Sequence, residues 1–157
     1  MMKVSDVIIR IKSAGHDISG EYDTDRCIEF LNTSIQQVSS LLIAANYPPL
    51  VRVLTVRNGD SIPKNFMKAC GTYPIRMTEG KAELLDDFES IRFRYFATPD
   101  ELTEQSEKLP FDHAGINEVV IKLAIMIALN ENEYELAQDK SLFDSLQQAI
   151  AGGMTSI

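Results

Sequence analysis

The sequence predicts an α+β fold, mainly α, in which about four helices form a bundle around a central buried helix and carry a small antiparallel β-hairpin insertion. Three observations lead there. Residues 116–129 are apolar at almost every position. The middle of the chain alternates apolar and polar residues, and the segments on either side repeat apolar residues at three- and four-residue intervals. As a helix, the apolar run covers about 21 Å at 1.5 Å per residue, short of the roughly 30 Å hydrocarbon core of a bilayer. It also contains Lys122. Its place is inside protein, not across a membrane.

The elements follow in order. Ser5 caps a first helix whose Val4, Val7, Ile8 and Ile11 share a face, with Asp6 in the first turn and Gly15 at the end. Residues 16–23 are a polar link. Asp23 or Thr24 caps a longer helix. Its stripe of Cys27, Ile28, Leu31, Ile35, Val38, Leu41 and Leu42 lies opposite Asn32, Gln36, Gln37 and Ser40, and Asn46 and Pro48-Pro49 stop it. Residues 51–63 alternate and turn at Asn58-Gly59, a strong hairpin signal, with a short return strand that Pro63 confines to an edge. A second short hairpin is expected about Glu79-Gly80, and residues 91–97 form the last strand. A polar extended connection covers 98–113. The buried helix then runs to about Asn130, and a final amphipathic helix takes Tyr134, Leu136, Ala137, Leu142, Phe143, Leu146 and Ile150 before ending at Gly152-Gly153. The expected organisation is one helical domain over 1–151, a β insertion at about 51–97, and a tail over 152–157.

A chain of 157 residues with 45% hydrophobic and 24% charged residues is an ordinary globular domain. Its net charge of -8 argues against a general nucleic-acid binder, which needs clustered cations to displace counterions. Cys27 and Cys70 are too few and too far apart for a disulfide framework or a zinc site, and the N-terminus lacks the apolar core of a secretory leader. Asp112-His113 has the makings of an acid–base pair. No nucleophile or second base accompanies it, so a capping segment is the favoured reading, with Asp112 as the cap and His113 in the first turn. His16 beside Asp17 is weaker still. The acidic run Glu83, Asp86, Asp87, Glu89 lacks calcium-loop spacing and reads as a solvated face. No phosphate-loop, dinucleotide, zinc-protease or serine-hydrolase motif is present. Arg52, Arg57, Arg76, Arg92 and Arg94 cluster on the β part, and Arg92 and Arg94 share one strand face. They suit pairing with acidic residues of the same domain or of a neighbouring copy, or a groove for single-stranded nucleic acid. No catalytic residue, metal site or cofactor is expected.

Three segments, taken together and in their order, resemble the head–tail connector (portal adaptor) proteins of tailed bacteriophages. They are DRCIEFLNTSIQQVSSLL, VLTVRNGDSIPKNFMKACG, and the block from IRFRYFATPDELTEQSEKLPFDHAG through the apolar helix to LFDSLQQAI. The resemblance implies a structural subunit, not an enzyme. Such a subunit joins copies of itself in a ring, typically of twelve, below the portal protein. The ring extends the DNA channel and offers the surface to which tail proteins (nozzle or stopper) attach. DNA passes through without sequence-specific binding. It implies a place in the virion neck, reached from the host cytoplasm during assembly, with no membrane involved. It further implies that Gly152, Gly153, Met154, Thr155, Ser156 and Ile157 form a portal-docking tail. Arg92, Arg94, Thr98, Pro99, Asp100 and Glu101 become candidates for contact between copies, the polar linker being suited to reach a neighbour. Two alternatives remain: a tail-completion or stopper protein of the same neck, and a small hydrolase whose carboxylates converge only in the fold.

Overall fold

The computed structural model describes residues 2–14 and 22–155, the last four of these for their backbone. In chain order the elements are α1 (Val4–Ala14), α2 (Thr24–Ala44), β1 (Val51–Arg57), β2 (Phe66–Ala69), β3 (Ile75–Thr78), β4 (Lys81–Leu84), β5 (Ser90–Ala97), α3 (Ala114–Leu129) and α4 (Lys140–Thr155). Short 3-10 turns lie at Pro48–Leu50 and Leu136–Gln138. The class is α+β, with four helices and small antiparallel sheets among the described residues. Five strands make it more evenly mixed than the mainly α fold expected. The chain divides into two compact units, Met1–Leu41 with Asp100–Ile157, and Leu42–Pro99.

In the first unit, α1 buries the predicted face of Val4, Val7, Ile8 and Ile11. The helix starts at Val4, so Ser5 lies inside it instead of capping it. The N–H of Val4 donates to the Glu107 carbonyl at 2.9 Å, and that of Ser5 to the Gln105 carbonyl at 3.1 Å. The amides left open at a helix start are satisfied here by chain remote in sequence, which no local capping pattern reveals. At α2 the expected cap is present. Asp23 Oδ1 accepts from the Arg26 N–H at 2.8 Å and its carbonyl from the Cys27 N–H at 2.9 Å. Phe30, outside the predicted stripe, is fully buried as well.

The apolar run forms α3, which buries Ile116, Val119, Val120, Ile121, Leu123, Ala124, Ile127 and Ala128. It packs against α1 and α4, and the Ser34 hydroxyl of α2 donates to its Val120 carbonyl at 2.7 Å. No described helix is long and apolar enough to cross a membrane. The last helix departs from expectation at both ends. Glu131 and Asn132 take left-handed dihedrals (φ 53° and 67°), which close α3. Asp139 opens α4, its Oδ1 accepting from the Leu142 N–H at 3.0 Å and its carbonyl from the Phe143 N–H at 2.8 Å. Tyr134, Leu136 and Ala137 therefore precede the helix. At the other end α4 continues through Gly152 and Gly153 to Thr155. Glycine weakens a helix by about 1 kcal/mol relative to alanine but permits helical dihedrals. The closing role expected of Gly15 and the link to Asp23, with His16 and Asp17, lie outside the described residues, apart from Tyr22 and Asp23.

The second unit begins with the end of α2. Asn46 takes φ 58°, the Tyr47 N–H reaches back to the Leu42 carbonyl at 3.0 Å, and the Asn46 N–H to that of Ile43 at 2.9 Å. This is the double hydrogen bond of a left-handed helix stop, with asparagine in the place glycine usually takes. A three-stranded antiparallel sheet in the order β1-β5-β2 and a separate β3-β4 hairpin follow. The hairpin at Glu79-Gly80 forms as expected, both residues having positive φ (52° and 75°). The one at Asn58-Gly59 does not. Gly59 alone has positive φ there, at 88°, so the turn is not the doubly left-handed kind that folds a strand back on itself. Instead the Gly59 N–H donates to the Ala82 carbonyl at 2.7 Å, and the Ile62 N–H to that of Gly80 at 2.8 Å. The chain crosses to β4, and β1 finds its partner in β5, from Val51↔Phe96 to Arg57↔Ser90. The core of this unit is Val56, Ala82, Phe93, Tyr95 and Ala97, with Phe66, Tyr73 and Ile75 packed on it. The Phe93 ring lies 5.0 Å from Tyr73 edge to face and 5.3 Å from Tyr95 stacked.

Candidate functional site

Two surfaces carry chemistry that packing alone does not use. The first is the outer face of the three-stranded sheet. Antiparallel register puts directly opposed residues on one side. Leu54 with Phe93 and Val56 with Ile91 therefore point to the core, while Val53 with Arg94 and Thr55 with Arg92 point away. Arg92, Arg94, Thr55 and Val53 are all exposed, Val53 at 48%. Among the described residues neither arginine makes an ion pair, so the pairing within the domain foreseen for them is not made. Lys68 of β2 lies on the same side, opposite Phe96. Its Nζ donates to Asn46 Oδ1 at 2.9 Å and stands 5.3 Å from the Phe96 ring centre. Arg76 meets Glu83 only at 3.9 Å and in full solvent contact.

The second surface is a cleft of about 560 Å³ at the start of α3, lined by Asp6, Asp112, His113, Asn117 and Glu118 with Met2 and Ile121. His113, not Asp112, is the helix cap. Its Nδ1 accepts from the N–H groups of Gly115 at 3.0 Å and Ile116 at 3.3 Å. A nitrogen that accepts carries no hydrogen, so the tautomer that caps the helix is the one with its hydrogen on Nε2. Asp112 is left exposed beside it. Glu118 pairs with Arg10 at 2.8 Å. That hydrogen bond holds its carboxyl below the usual carboxylate range and raises the guanidinium further. Asp6 and Asp112 make no ion pair among the described residues. In the same wall, Asn117 donates from Nδ2 to the Phe111 carbonyl at 2.7 Å, while its buried Oδ1 has no partner. The open amides of α3 are occupied by the His113 cap and carbonyl. A basic side chain therefore fits this cleft better than an anion does.

The linker expected to reach a neighbour is tied within its own chain at Leu102 and Glu107. Asn32 holds Leu102 as a strand would, accepting from its N–H at 2.7 Å and donating to its carbonyl at 2.9 Å. One turn and a half further along α2, Gln37 does the same with the Leu136 N–H at 2.7 Å and the Tyr134 carbonyl at 3.0 Å. Glu107 Oε1 accepts from the Thr103 N–H, the Glu104 N–H and the Thr103 hydroxyl at 2.7, 2.7 and 3.0 Å, and these bonds lower its pKa. Of the residues expected between copies, Thr98 is buried, Pro99 half-buried, and Asp100 and Glu101 exposed. The division between units falls between Pro99 and Asp100. Gly152 to Thr155 lie on the last turn of α4, and Ser156 and Ile157 fall outside the described residues. Among the described residues, no group of three His, Cys, Asp or Glu side chains is placed to hold a metal. Sequence reasoning missed Asn32, Gln37 and Asn117, all read as surface or lost in an apolar run. The only signal for them was an amide at a position where a helix face should be plain.

No protein-family model matches the chain, and no curated protein is similar to it.

Proposed function

We propose that this chain is a structural subunit of a tailed-phage head–tail connector: a ring below the portal that extends the DNA channel and presents the surface on which tail proteins assemble. In this reading α1, α2 and α4 wrap α3 as a bundle, and the work is done by surfaces meeting other subunits. What supports it most is that the three resembling segments fall in chain order on α2, on β1 to β2, and, beyond the β3-β4 hairpin that none of them covers, on β5 through the pinned linker to α3 and α4. Each resembling stretch thus coincides with an element and its entry or exit. The charge distribution supports it too. The first unit holds seven Lys and Arg against seventeen Asp and Glu, net -10, and the second eight against six, net +2. A predominantly acidic wall lets a polyanion slide past without sticking. A glycosidase working with two carboxyls would need one of them held protonated near neutrality. Among the described residues, the carboxyls that depart clearly from their usual range, those of Glu107, Glu118 and Asp139, are lowered.

Mass measurement with and without the portal ring of the same phage tests the reading. Many copies joining one portal are expected. Turnover of a cell-wall or polysaccharide substrate by the lone chain would overturn it, and attachment only to a finished portal–adaptor complex would move the chain down the stack to a stopper. Truncation after Ala151 removes the proposed docking tail and should abolish portal attachment while the rest of the fold persists by circular dichroism. Unchanged attachment would remove the tail from the proposal.

A further inference from the structure

We propose that the outer face of the three-stranded sheet docks on the acidic cleft at the start of α3 of a second copy of this chain. Each copy would then offer one cationic and one acidic surface to its neighbours. The inference rests on the connector reading and names the copy-to-copy contact within it.

Val53, the most exposed residue of its kind on the sheet, sits between Arg94 directly across and Thr55 and Arg92 one pair along. Two guanidiniums that make no ion pair among the described residues, beside an exposed apolar side chain, have the make-up of an interface patch: Arg is enriched at interfaces, and near-neutral contacts around it shield it from water. The occupant must therefore bring carboxylates and a concave surface. The cleft in the first unit has both. Asp6 and Asp112 line it, exposed and in no ion pair among the described residues, and the buried Oδ1 of Asn117 in its wall has no partner. Free nucleic acid fits the arginine face less well, since the +2 of its own unit is outweighed by -10 on the other in a chain of net charge -8. A contact between two different patches is heterologous, the kind that generates a ring when the rotation from copy to copy closes.

Two charge-reversed variants test this: R92E/R94E on the face and D6K/D112K in the cleft, all at exposed positions. Sedimentation of the wild-type chain over rising concentration at low salt should show self-association that salt weakens. Each variant alone should associate roughly tenfold or more weakly. An equimolar mixture should recover association, because the reversed face of one then matches the reversed cleft of the other and the native pair remains available. Circular dichroism establishes that each variant is folded. If a reversal unfolds the chain, R92A/R94A and D6N/D112N take its place, each expected to weaken association. Variants that associate as the wild type does, a mixture that stays apart, a wild type monomeric at every concentration, or binding of single-stranded DNA by the arginine face in place of self-association each overturn the proposal. Portal attachment, measured separately on the wild type, distinguishes the failures. Attachment without this contact leaves the connector reading standing, and this contact without attachment removes the reading alone.

Discussion

Single side chains at the start of α3 and α4 hold these helices in register. His113 replaces the expected aspartate as cap, and a Cβ on Gly115 would meet the imidazole Cε1 at 3.0 Å and Ala149 Cβ at 3.3 Å, so ring and helix start are packed together. His113→Ala should cost about 1 kcal/mol, recovered in large part by His113→Asn. Urea midpoints of the two variants read this directly, and equal loss in both would show that ring packing outweighs the cap. Asp139 offers a pH test. The Tyr134 hydroxyl first, and the Leu142 N–H second, hold its carboxyl below its ordinary value. Because the folded value is the lower one, its stabilisation is complete above the unfolded value near pH 4 and disappears as pH falls through the folded value. Asp139→Asn should therefore lower stability at neutral pH, where that contribution is complete, and flatten the further loss below about pH 4. An unchanged acid slope would mean that the Tyr134 contact is not kept in solution.

Elements were legible where their signals are local. The face of α1, the Asp23 cap, the asparagine stop at Asn46 and the Glu79-Gly80 turn all depend on residues within a few positions of one another. The misses share a cause. The start of α1 is capped by carbonyls of Gln105 and Glu107, the linker is held by Asn32, and β1 pairs with β5 across 32 intervening residues. Asn58-Gly59 misled because sequence does not say whether both residues or only the glycine will turn left-handed. Glu79, by contrast, holds φ 52° without the tolerance of asparagine for that region. Glu79→Asn should therefore stabilise the second unit by roughly a few tenths of a kcal/mol, and Gly80→Ala should destabilise it by about 1–2 kcal/mol. Thermal melts that rank the variants in any other order would show that the turn is not doubly left-handed. The candidate surfaces were half legible: Arg92 and Arg94 on one strand face could be read from their spacing, while the cleft needed two segments far apart in sequence, 2–6 and 112–121, brought together.

At the scale of the whole molecule, net charge and its segregation make two predictions of opposite sign. Within the first unit, acidic residues outnumber basic ones by ten, and the only ion pair seen there among the described residues is Arg10–Glu118. Exposed neighbours such as Glu131, Glu133 and Glu135 repel one another in the native state more than in the expanded unfolded chain. Salt screens such exposed charges over about 10 Å at 0.1 M, and it screens repulsion as readily as attraction. Since repulsion dominates here, raising salt from about 0.01 M to 0.2 M should raise the melting temperature of the dilute monomer. The contact proposed between copies is an attraction of unlike surfaces, so the same salt should weaken it. Melting at low protein concentration beside sedimentation at high concentration, both in one salt series, separates the two effects. A melting temperature that fell with salt would mean that native ion pairing outweighs the excess of acid, and the acidic unit would then lack the field on which both its proposed indifference to DNA and its proposed attraction for an arginine face depend.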